Sequence, residues 1–300
     1  MSSLHQTIRA YTELARISNI PTCISNVLVG CAIAGLGYSL NWSIITLTTI
    51  AIALLYIAGM ALNDAVDHKI DKQQRPSRPI PSGRITLPAA YTFAFICFAL
   101  ALAILASVTI PALICGLILA TTIILYDYIH KHIAASALLM GACRGLVYIT
   151  AAAAITWPLD WQTIAILAGA IIIYITIVTI IAQNETQTDT HPETAKSFGL
   201  RKWLAIALPV VALAPAIAIQ PNSWPMLAIA ATFVICWLLL ALRNTITTPP
   251  RMKNAILGYL SGICLLDAFY LSLLDQPILA LVAIACFGLT AIGHRYILGT

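Results

Sequence analysis

Long apolar segments alternate with short polar connections along the whole chain. Segments of about 20 apolar residues recur, and each is long enough to cross a bilayer as an α-helix. The predicted spans are about Ile17–Tyr38, Trp42–Leu62, Thr86–Ser107, Ile110–Tyr126, Ile133–Thr156, Trp161–Ala182, Trp203–Ile219, Trp224–Leu242, Ala255–Leu274 and Pro277–His294. Because Asp267 interrupts the ninth segment and the tenth is short, the pattern predicts nine to ten spans.

Composition supports the same class. The 300 residues are 60% hydrophobic and only 9% charged, and their mean hydropathy is +0.92. Such a chain lacks the polar surface of a soluble protein. We therefore predict an all-α, polytopic membrane bundle that forms one domain over residues 1–300, with the lipid bilayer as a partner and no nucleic acid. None of the eight cysteines forms a CxxC pair, so we interpret them as small packing residues.

Charge predicts the orientation. If the amino terminus is cytoplasmic, the inside segments are 1–16, 63–85, 127–132, 183–202, 243–254 and the carboxyl end, and they contain 15 of the 16 Lys and Arg residues. Arg144, within the fifth span, is the exception. This distribution follows the positive-inside rule. With no transit or signal segment evident, we expect a bacterial plasma membrane with the polar motifs on the cytoplasmic side.

The most polar stretch is Asn63–Gly83, NDAVDHKIDKQQRPSRPIPSG. Asp64, Asp67 and Asp71 stand at i, i+3 and i+7, a spacing that places them on one face of a helix. Asn63 lies one turn before Asp67. Three carboxylates on one face repel one another unless a cation lies between them.

Basic residues follow these carboxylates directly, at Lys72, Arg75 and Arg78. Mg²⁺ prefers oxygen ligands and shares them with substrate phosphates, while Arg and Lys bind the other phosphate oxygens. The stretch therefore predicts a site for a divalent metal together with a polyanion. The alternative is a solvated loop with scattered charges.

A second polar stretch, Gln183–Lys202, follows the sixth span. Glu185 and Asp189 repeat an i, i+4 carboxylate spacing, and Lys196 supplies a cation. Two acidic helix ends of this kind can share metal ions and one diphosphate. The alternative is an ordinary polar loop.

Two further features are candidates for substrate binding. Lys131, after the fourth span, can reach a phosphate, whereas Tyr126 is equally well explained as a substrate contact or as an aromatic anchor at the membrane interface. Arg144 lies about two turns inside the fifth span, where a charge is costly unless it faces a polar cavity, an acid or an anion. The same argument applies more weakly to Asp267 and to Asn26.

The first polar stretch resembles the first signature of the UbiA superfamily of intramembrane prenyltransferases. The pattern NDxxDxxxD followed by RxxRPxPSG is matched residue for residue at Asn63, Asp64, Asp67, Asp71, Arg75, Arg78, Pro79, Pro81, Ser82 and Gly83. The segment RISNIPTCISNVLVG also looks like the opening of the family. The MGACRG segment around Arg144 and LLDAF around Asp267 resemble the EboC-like branch.

The resemblance implies a helical bundle around a central cavity that opens laterally to lipid, in which a prenyl group passes from a prenyl diphosphate donor to a lipophilic, often aromatic, acceptor. Mg²⁺ would be the cofactor. Its ligands would be Asn63, Asp64, Asp67, Asp71, Glu185 and Asp189. The diphosphate would be bound by Lys72, Arg75, Arg78 and Lys131.

The second motif departs from the family pattern, because ExxxD replaces the usual DxxxD-like pair. This change supports a competing hypothesis, in which a catalytically weakened member binds or carries a polyprenyl lipid or its acceptor. A third hypothesis is an ion-coupled transporter that uses Arg144 and Asp267. The paired, broken spans of a midplane transport site are missing from the sequence pattern.

Overall fold

A computed structural model describes residues 3–35, 41–129, 136–188, 195–222, 224–247 and 251–297; side chains are described in these ranges except at 3–4, 184–188 and 195–198. The described residues form α-helices and two short 3-10 turns, with no β-strand. The helices are α1 Ser3–Leu14, α2 Ile20–Ala34, α3 Trp42–Val66, α4 His68–Gln74, α5 Leu87–Val108, α6 Ile110–Ile129, α7 Ser136–Ile155, α8 Trp161–Thr188, α9 Ala195–Leu213, α10 Trp224–Ile246, α11 Met252–Leu273 and α12 Pro277–Tyr296. The all-α prediction is confirmed.

Ten of the described helices are long and apolar enough to cross a membrane, which is the upper value of the predicted range. The span predicted at Trp161–Ala182 agrees with the candidate span Trp161–Gln183, and the span predicted at Trp203–Ile219 begins four residues later than the candidate span Gly199–Ile217. The helices extend beyond these spans, because α8 continues to Thr188 and α9 begins at Ala195. Hydropathy marks where a helix leaves the apolar layer, whereas backbone hydrogen bonds continue into polar sequence.

Two helices form the centre of the bundle. In the apolar windows of α11 and of the first span, 83% and 72% of residues are buried, against 28–33% in the outermost helices. Helix α2 packs against α7, α11 and α12, and α10 packs against α11. Asp267, the residue that made the ninth span doubtful by sequence, is fully buried inside the protein and does not face lipid.

The outer surface is suited to a bilayer. Large apolar side chains such as Phe95, Leu100, Ile114 and Phe233 are about half exposed along the outer helices. Tryptophan side chains are exposed at or beside helix ends, at Trp42, Trp157, Trp161 and Trp224. Aromatic rings favour the level of the lipid headgroups. The chain therefore has the surface of an integral multi-pass membrane protein.

Candidate functional site

The first acidic motif forms a corner between two helices. Helix α3 ends at Val66, and Asp67 is a single turn residue that precedes α4. The backbone remains hydrogen-bonded around the corner, from Asp67 N to Asn63 O at 2.9 Å and from Asp71 N to Asp67 O at 3.0 Å. The expectation of three carboxylates on one straight helix is therefore wrong: Asp64 lies on α3, Asp67 at the corner and Asp71 on α4.

Two arginines bind these carboxylates. Arg78 donates from Nη1 to Asp64 Oδ1 at 3.1 Å and to Asp71 Oδ2 at 2.6 Å. Arg16 donates from Nη2 to the same Asp64 oxygen at 3.0 Å. The side chains of Asp64 and Asp71 are about 95% buried, so the guanidinium groups compensate charge that water does not reach.

Arg16 has a left-handed backbone, with φ 43° and ψ 52°, just before the first span. A non-glycine residue in this region costs about 1–2 kcal/mol. The ion pair with Asp64 offsets this cost and joins the start of the first span to the acidic corner. Burial is the largest single influence on Arg16 and lowers its pKa, but the groups around it, Asp64 first and then Tyr56 and Asp71, together outweigh burial, and the net pKa is raised.

Arg75 lies in a different electrostatic setting. Burial and the neighbouring Arg78 both lower its pKa, although an arginine stays protonated at neutral pH. The side chain of Arg75 faces the cavity described below. A guanidinium that is repelled by a like charge is suited to binding an anion.

The corner opens onto a cavity of about 800 Å³. Its polar end contains Asp67, Asp71, Arg75 and Arg78. The rest of the wall is mostly apolar and comes from α3, α6, α7, α8 and α11, with side chains that include Ile52, Leu55, Leu119, Ile123, Val147, Ile175 and Leu260. The cavity can therefore bind a charged group at one end and a hydrocarbon chain along the remainder.

The end of α6 completes the polar wall. Asn63 donates from Nδ2 to Asp127 Oδ1 at 3.1 Å, which links the acidic motif to α6. Tyr126 lines the cavity, whereas Tyr128 is half exposed on the outer surface. The two tyrosines therefore differ: Tyr126 is placed to contact a ligand, and Tyr128 to contact the membrane interface.

Arg144 reaches the cavity from α7. It donates from Nη1 to Asn26 Oδ1 at 2.8 Å and to Thr22 Oγ1 at 3.2 Å. Its Cζ lies 5.8 Å from the centre of the Tyr56 ring, within the range of a cation–π contact. Asn26 is fully buried and lies behind Arg144 outside the cavity lining, so it supports the arginine and does not itself face the cavity.

The structure brings together part of the predicted site. Seven predicted residues line the cavity, namely Asn63, Asp67, Asp71, Arg75, Arg78, Tyr126 and Arg144. Asp64 lies behind the lining, and Lys72 is exposed outside it. The remaining predicted residues, Lys131, Glu185, Asp189 and Lys196, lie outside the described residues or have side chains that are not described.

Sequence reasoning missed two residues of the site. Arg16 binds Asp64, and Asp127 binds Asn63. A signal for Arg16 existed, since it is a lone cation directly before the first span. Asp127 is less easily found, because a carboxylate at a helix end usually contacts solvent.

The donor groups at the cavity mouth determine whether Mg²⁺ could bind there. In the described part of the chain, no group of three or more His, Cys, Asp or Glu side chains could hold a metal ion. Mg²⁺ usually keeps several waters and is bound by one or two carboxylates together with substrate phosphates. Asp67 and Asp71 at the cavity mouth fit that shared arrangement, although they do not form a closed protein cage.

Fold and site together define a polytopic membrane bundle in which a mouth of acidic and basic side chains opens into a mostly apolar cavity. The sequence model of the UbiA prenyltransferase family matches residues 23–263. The chain belongs to this family. Neither this match nor the comparisons below test the EboC-like branch, which stays a prediction.

Relatives and solved structures support the assignment. The chain is 31% identical over 125 residues to the digeranylgeranylglyceryl phosphate synthase of Sulfolobus acidocaldarius, a match that covers 41% of this chain and only 43% of that relative. A UbiA homologue from Aeropyrum pernix K1 has a TM-score of 0.68 at 15% identity over 90% of this chain and 96% of its own. A UbiA homologue from Archaeoglobus fulgidus, bound to GPP and Mg²⁺, has a TM-score of 0.65 at 11% identity over 89% and 99%. The structural matches show a shared fold.

Proposed function

We propose that this protein catalyses Mg²⁺-dependent transfer of a prenyl group from a prenyl diphosphate to a lipophilic acceptor within the membrane. The proposal rests on one observation: acidic and basic side chains surround the mouth of a mostly apolar cavity of about 800 Å³. Family membership and the GPP and Mg²⁺ bound to the A. fulgidus homologue support it.

The mouth provides the groups that a diphosphate needs. Arg75 and Arg78 donate to phosphate oxygens, and Asp67, Asp71 and the amide oxygen of Asn63 would hold Mg²⁺. When bound, the ion neutralises the diphosphate and makes it a better leaving group. Lys131, Glu185, Asp189 and Lys196 remain candidates for the same site.

The apolar wall serves the rest of the donor. Its side chains pack along the prenyl chain and exclude water from the reacting carbon. In the reaction, the C–O bond to the diphosphate breaks with its electron pair on oxygen. A bond then forms between the prenyl carbon and the acceptor, and the acceptor releases one proton. Water in the cavity would compete for the same carbon, so its exclusion protects the product.

A second candidate function is a weakened family member that binds a polyprenyl lipid or its acceptor without turnover. The observation that favours it is the ionic contact of Arg78 with both Asp64 and Asp71, which occupies carboxylate oxygens that a metal would use. The ExxxD form of the second motif supports it further.

We also propose that the mouth of the cavity faces the cytoplasm. The residues that form it belong to the segments that contain almost all Lys and Arg. Relatives such as the synthase of Sulfolobus acidocaldarius are archaeal, and the bacterial plasma membrane stays a prediction from sequence.

Diphosphate release tests the function. Purified protein in lipid nanodiscs is incubated with labelled prenyl diphosphates of several chain lengths, Mg²⁺ and membrane extract as a source of acceptors. We expect release that requires Mg²⁺ and is lost in the double variant Asp67→Asn, Asp71→Asn. The control is Asp160→Asn, because Asp160 is an exposed helix cap that Asn can replace. Tight donor binding without turnover in any extract would instead support the carrier.

A further inference from the structure

The end of α6 places a carboxylate where neither the helix nor bulk water stabilises its charge. Asp127 lies in the last turn of α6, which ends at Ile129, and only 2% of its surface is exposed. The helix dipole disfavours a negative charge at this end of a helix, and burial removes most of the water that would solvate it. Two unfavourable effects at one position indicate that the carboxylate has a specific role.

This carboxylate accepts a hydrogen bond from a predicted magnesium ligand. Asn63 on α3 donates from Nδ2 to Asp127 Oδ1 at 3.1 Å. An ionised carboxylate only accepts hydrogen bonds, whereas an amide side chain has one donating and one accepting branch. Asp127 therefore selects one of the two orientations of the Asn63 amide, the one in which the nitrogen faces α6.

The amide oxygen of Asn63 is consequently directed away from α6. No described residue donates a hydrogen bond to this oxygen, and it is not among the buried polar atoms that lack a partner, so it remains accessible. Asn63 lines the cavity, as do Asp67 and Asp71. An amide oxygen is a suitable ligand for Mg²⁺. With the amide turned over, the nitrogen would take the place of the oxygen and could not bind the ion.

Direct binding of Mg²⁺ by Asp127 is the alternative. The positions of the carboxylates disfavour it. Within the described part of the chain, Asp127 does not join Asp67 and Asp71 in a group of three side chains that could hold one metal ion. Asp127 is thus placed to act on the ion through Asn63.

We propose that Asp127 is a positioning residue for the magnesium site, because it holds the amide of Asn63 with its oxygen toward the ion. This inference rests on the proposed function only in taking Mg²⁺ and a diphosphate as the ligands of the cavity mouth. Residues that orient a metal ligand typically change metal affinity by about 10- to 100-fold when they are removed.

Metal-dependent binding of a donor analogue tests the proposal without turnover. Labelled geranyl thiodiphosphate, which reacts slowly, is added to the protein in nanodiscs of neutral lipid, and the concentration of Mn²⁺, in place of Mg²⁺, is varied. The measured quantity is the Mn²⁺ midpoint, the concentration that gives half-maximal binding of the analogue. We expect Asp127→Leu to raise this midpoint about tenfold and to leave the affinity for the analogue at saturating Mn²⁺ unchanged. A loss of folded protein would instead reduce the amount bound at every Mn²⁺ concentration.

Asp127→Asn separates the hydrogen bond from the charge. Asn and Leu are similar in size and remove the same charge, but the amide oxygen of Asn can still accept from Asn63. We therefore expect Asp127→Asn to raise the Mn²⁺ midpoint by about threefold or less. The exposed control Asp160→Asn should keep the midpoint of the wild type.

A double-mutant cycle shows whether Asp127 acts through Asn63. Asn63→Ala removes the amide, and we expect it to raise the Mn²⁺ midpoint about tenfold. Adding Asp127→Leu to this variant should raise the midpoint by a further factor of about two at most, because the group that Asp127 orients is already absent. A direct metal ligand would keep its full effect in the Asn63→Ala background.

Three results would overturn the positioning role. They are an unchanged midpoint in Asp127→Leu, an equal effect of Asp127→Leu with and without Asn63, and a wild type whose binding of the analogue does not require Mn²⁺. If Asp127→Leu does not fold, Asp127→Ala replaces it with the same expectations. Diphosphate release by the wild type together with an unchanged midpoint in Asp127→Leu would overturn only this inference. A raised midpoint without release from any donor would overturn only the proposed function.

Discussion

At the scale of single residues, Arg78 compensates the negative charge of the acidic corner. Its guanidinium contacts Asp64 and Asp71 together, two carboxylates that are almost fully buried. Removing one partner of a buried pair leaves an uncompensated charge and typically costs about 3–5 kcal/mol. The same contacts are those that Mg²⁺ would have to share or replace.

Arg78→Gln is therefore expected to lower the unfolding temperature in the absence of Mg²⁺, by a loss on the order of 3 kcal/mol. Adding Mg²⁺ should stabilise this variant more than it stabilises the wild type, because Asp71 has lost its cation. Thermal unfolding in nanodiscs with and without Mg²⁺ measures both effects.

Arg9→Gln is the matched control for this prediction. Arg9 pairs with Glu13 one turn further along α1, and its side chain is 66% exposed. It should change stability little and leave the response to Mg²⁺ unaltered. An equal response to Mg²⁺ in Arg78→Gln and the wild type would contradict the account of the corner.

At the scale of elements, turns and close helix contacts hold the site in place. The connection after α4 bends at Gly83, where φ is +76°, a conformation that favours glycine. Arg84 Nη2 donates to Ser77 O at 2.8 Å across this bend. Pro81, Ser82 and Gly83, the last residues of the family motif, therefore shape the loop that contains Arg78. Their role is structural, although they belong to the same motif as the predicted ligand-binding residues.

The contact between α2 and α7 holds Arg144 at the cavity wall, because Asn26 on α2 accepts a hydrogen bond from Arg144 on α7. A Cβ added at Gly30 would lie too close to the backbone oxygen of Tyr148 on α7. Backbone cannot yield as a flexible side chain can, so the helices would have to separate.

We predict that Gly30→Ala destabilises the protein by about 1–3 kcal/mol. Gly169→Ala is the control, since nothing lies within 4 Å of a Cβ there and alanine is the better helix former. Thermal unfolding compares the two variants. Equal stability of Gly30→Ala and the wild type would show that α2 and α7 are less tightly packed than described.

At the scale of the whole molecule, charge and the cavity mouth lie at the same end of the bundle. Nine of the ten spans begin or end within five residues of a Lys or Arg on that side, whereas the connections on the other side contain none. This asymmetry predicts that the loop containing Ser77 is cytoplasmic and that Asp160 faces the opposite side.

Cysteine labelling tests this orientation. In a background without the eight native cysteines, Ser77→Cys should react with a membrane-impermeant maleimide only when the cytoplasmic face is accessible. Asp160→Cys should react from the other side, and both positions are exposed. Labelling of both from the same side would contradict a membrane-spanning arrangement of the helices between them.

The sequence predicts the fold better than the site. Hydropathy predicts every span, because the length of an apolar segment can be read directly from the sequence. The distribution of Lys and Arg then predicts an orientation that can be tested. The pairing of Arg16 with Asp64 and of Asn26 with Asp267 joins residues 48 and 241 positions apart. Such contacts depend on how helices pack, which a single sequence does not contain.

The most direct test of the account is the position of a divalent ion. We would soak crystals of the protein with Mn²⁺ and geranyl thiodiphosphate, a slowly reacting donor analogue, and locate Mn²⁺ by anomalous scattering. We expect a peak at coordination distance from the carboxylates of Asp67 and Asp71, with analogue phosphates beside Arg75. A bound analogue without that peak, and with Arg78 still joining Asp64 to Asp71, would contradict it.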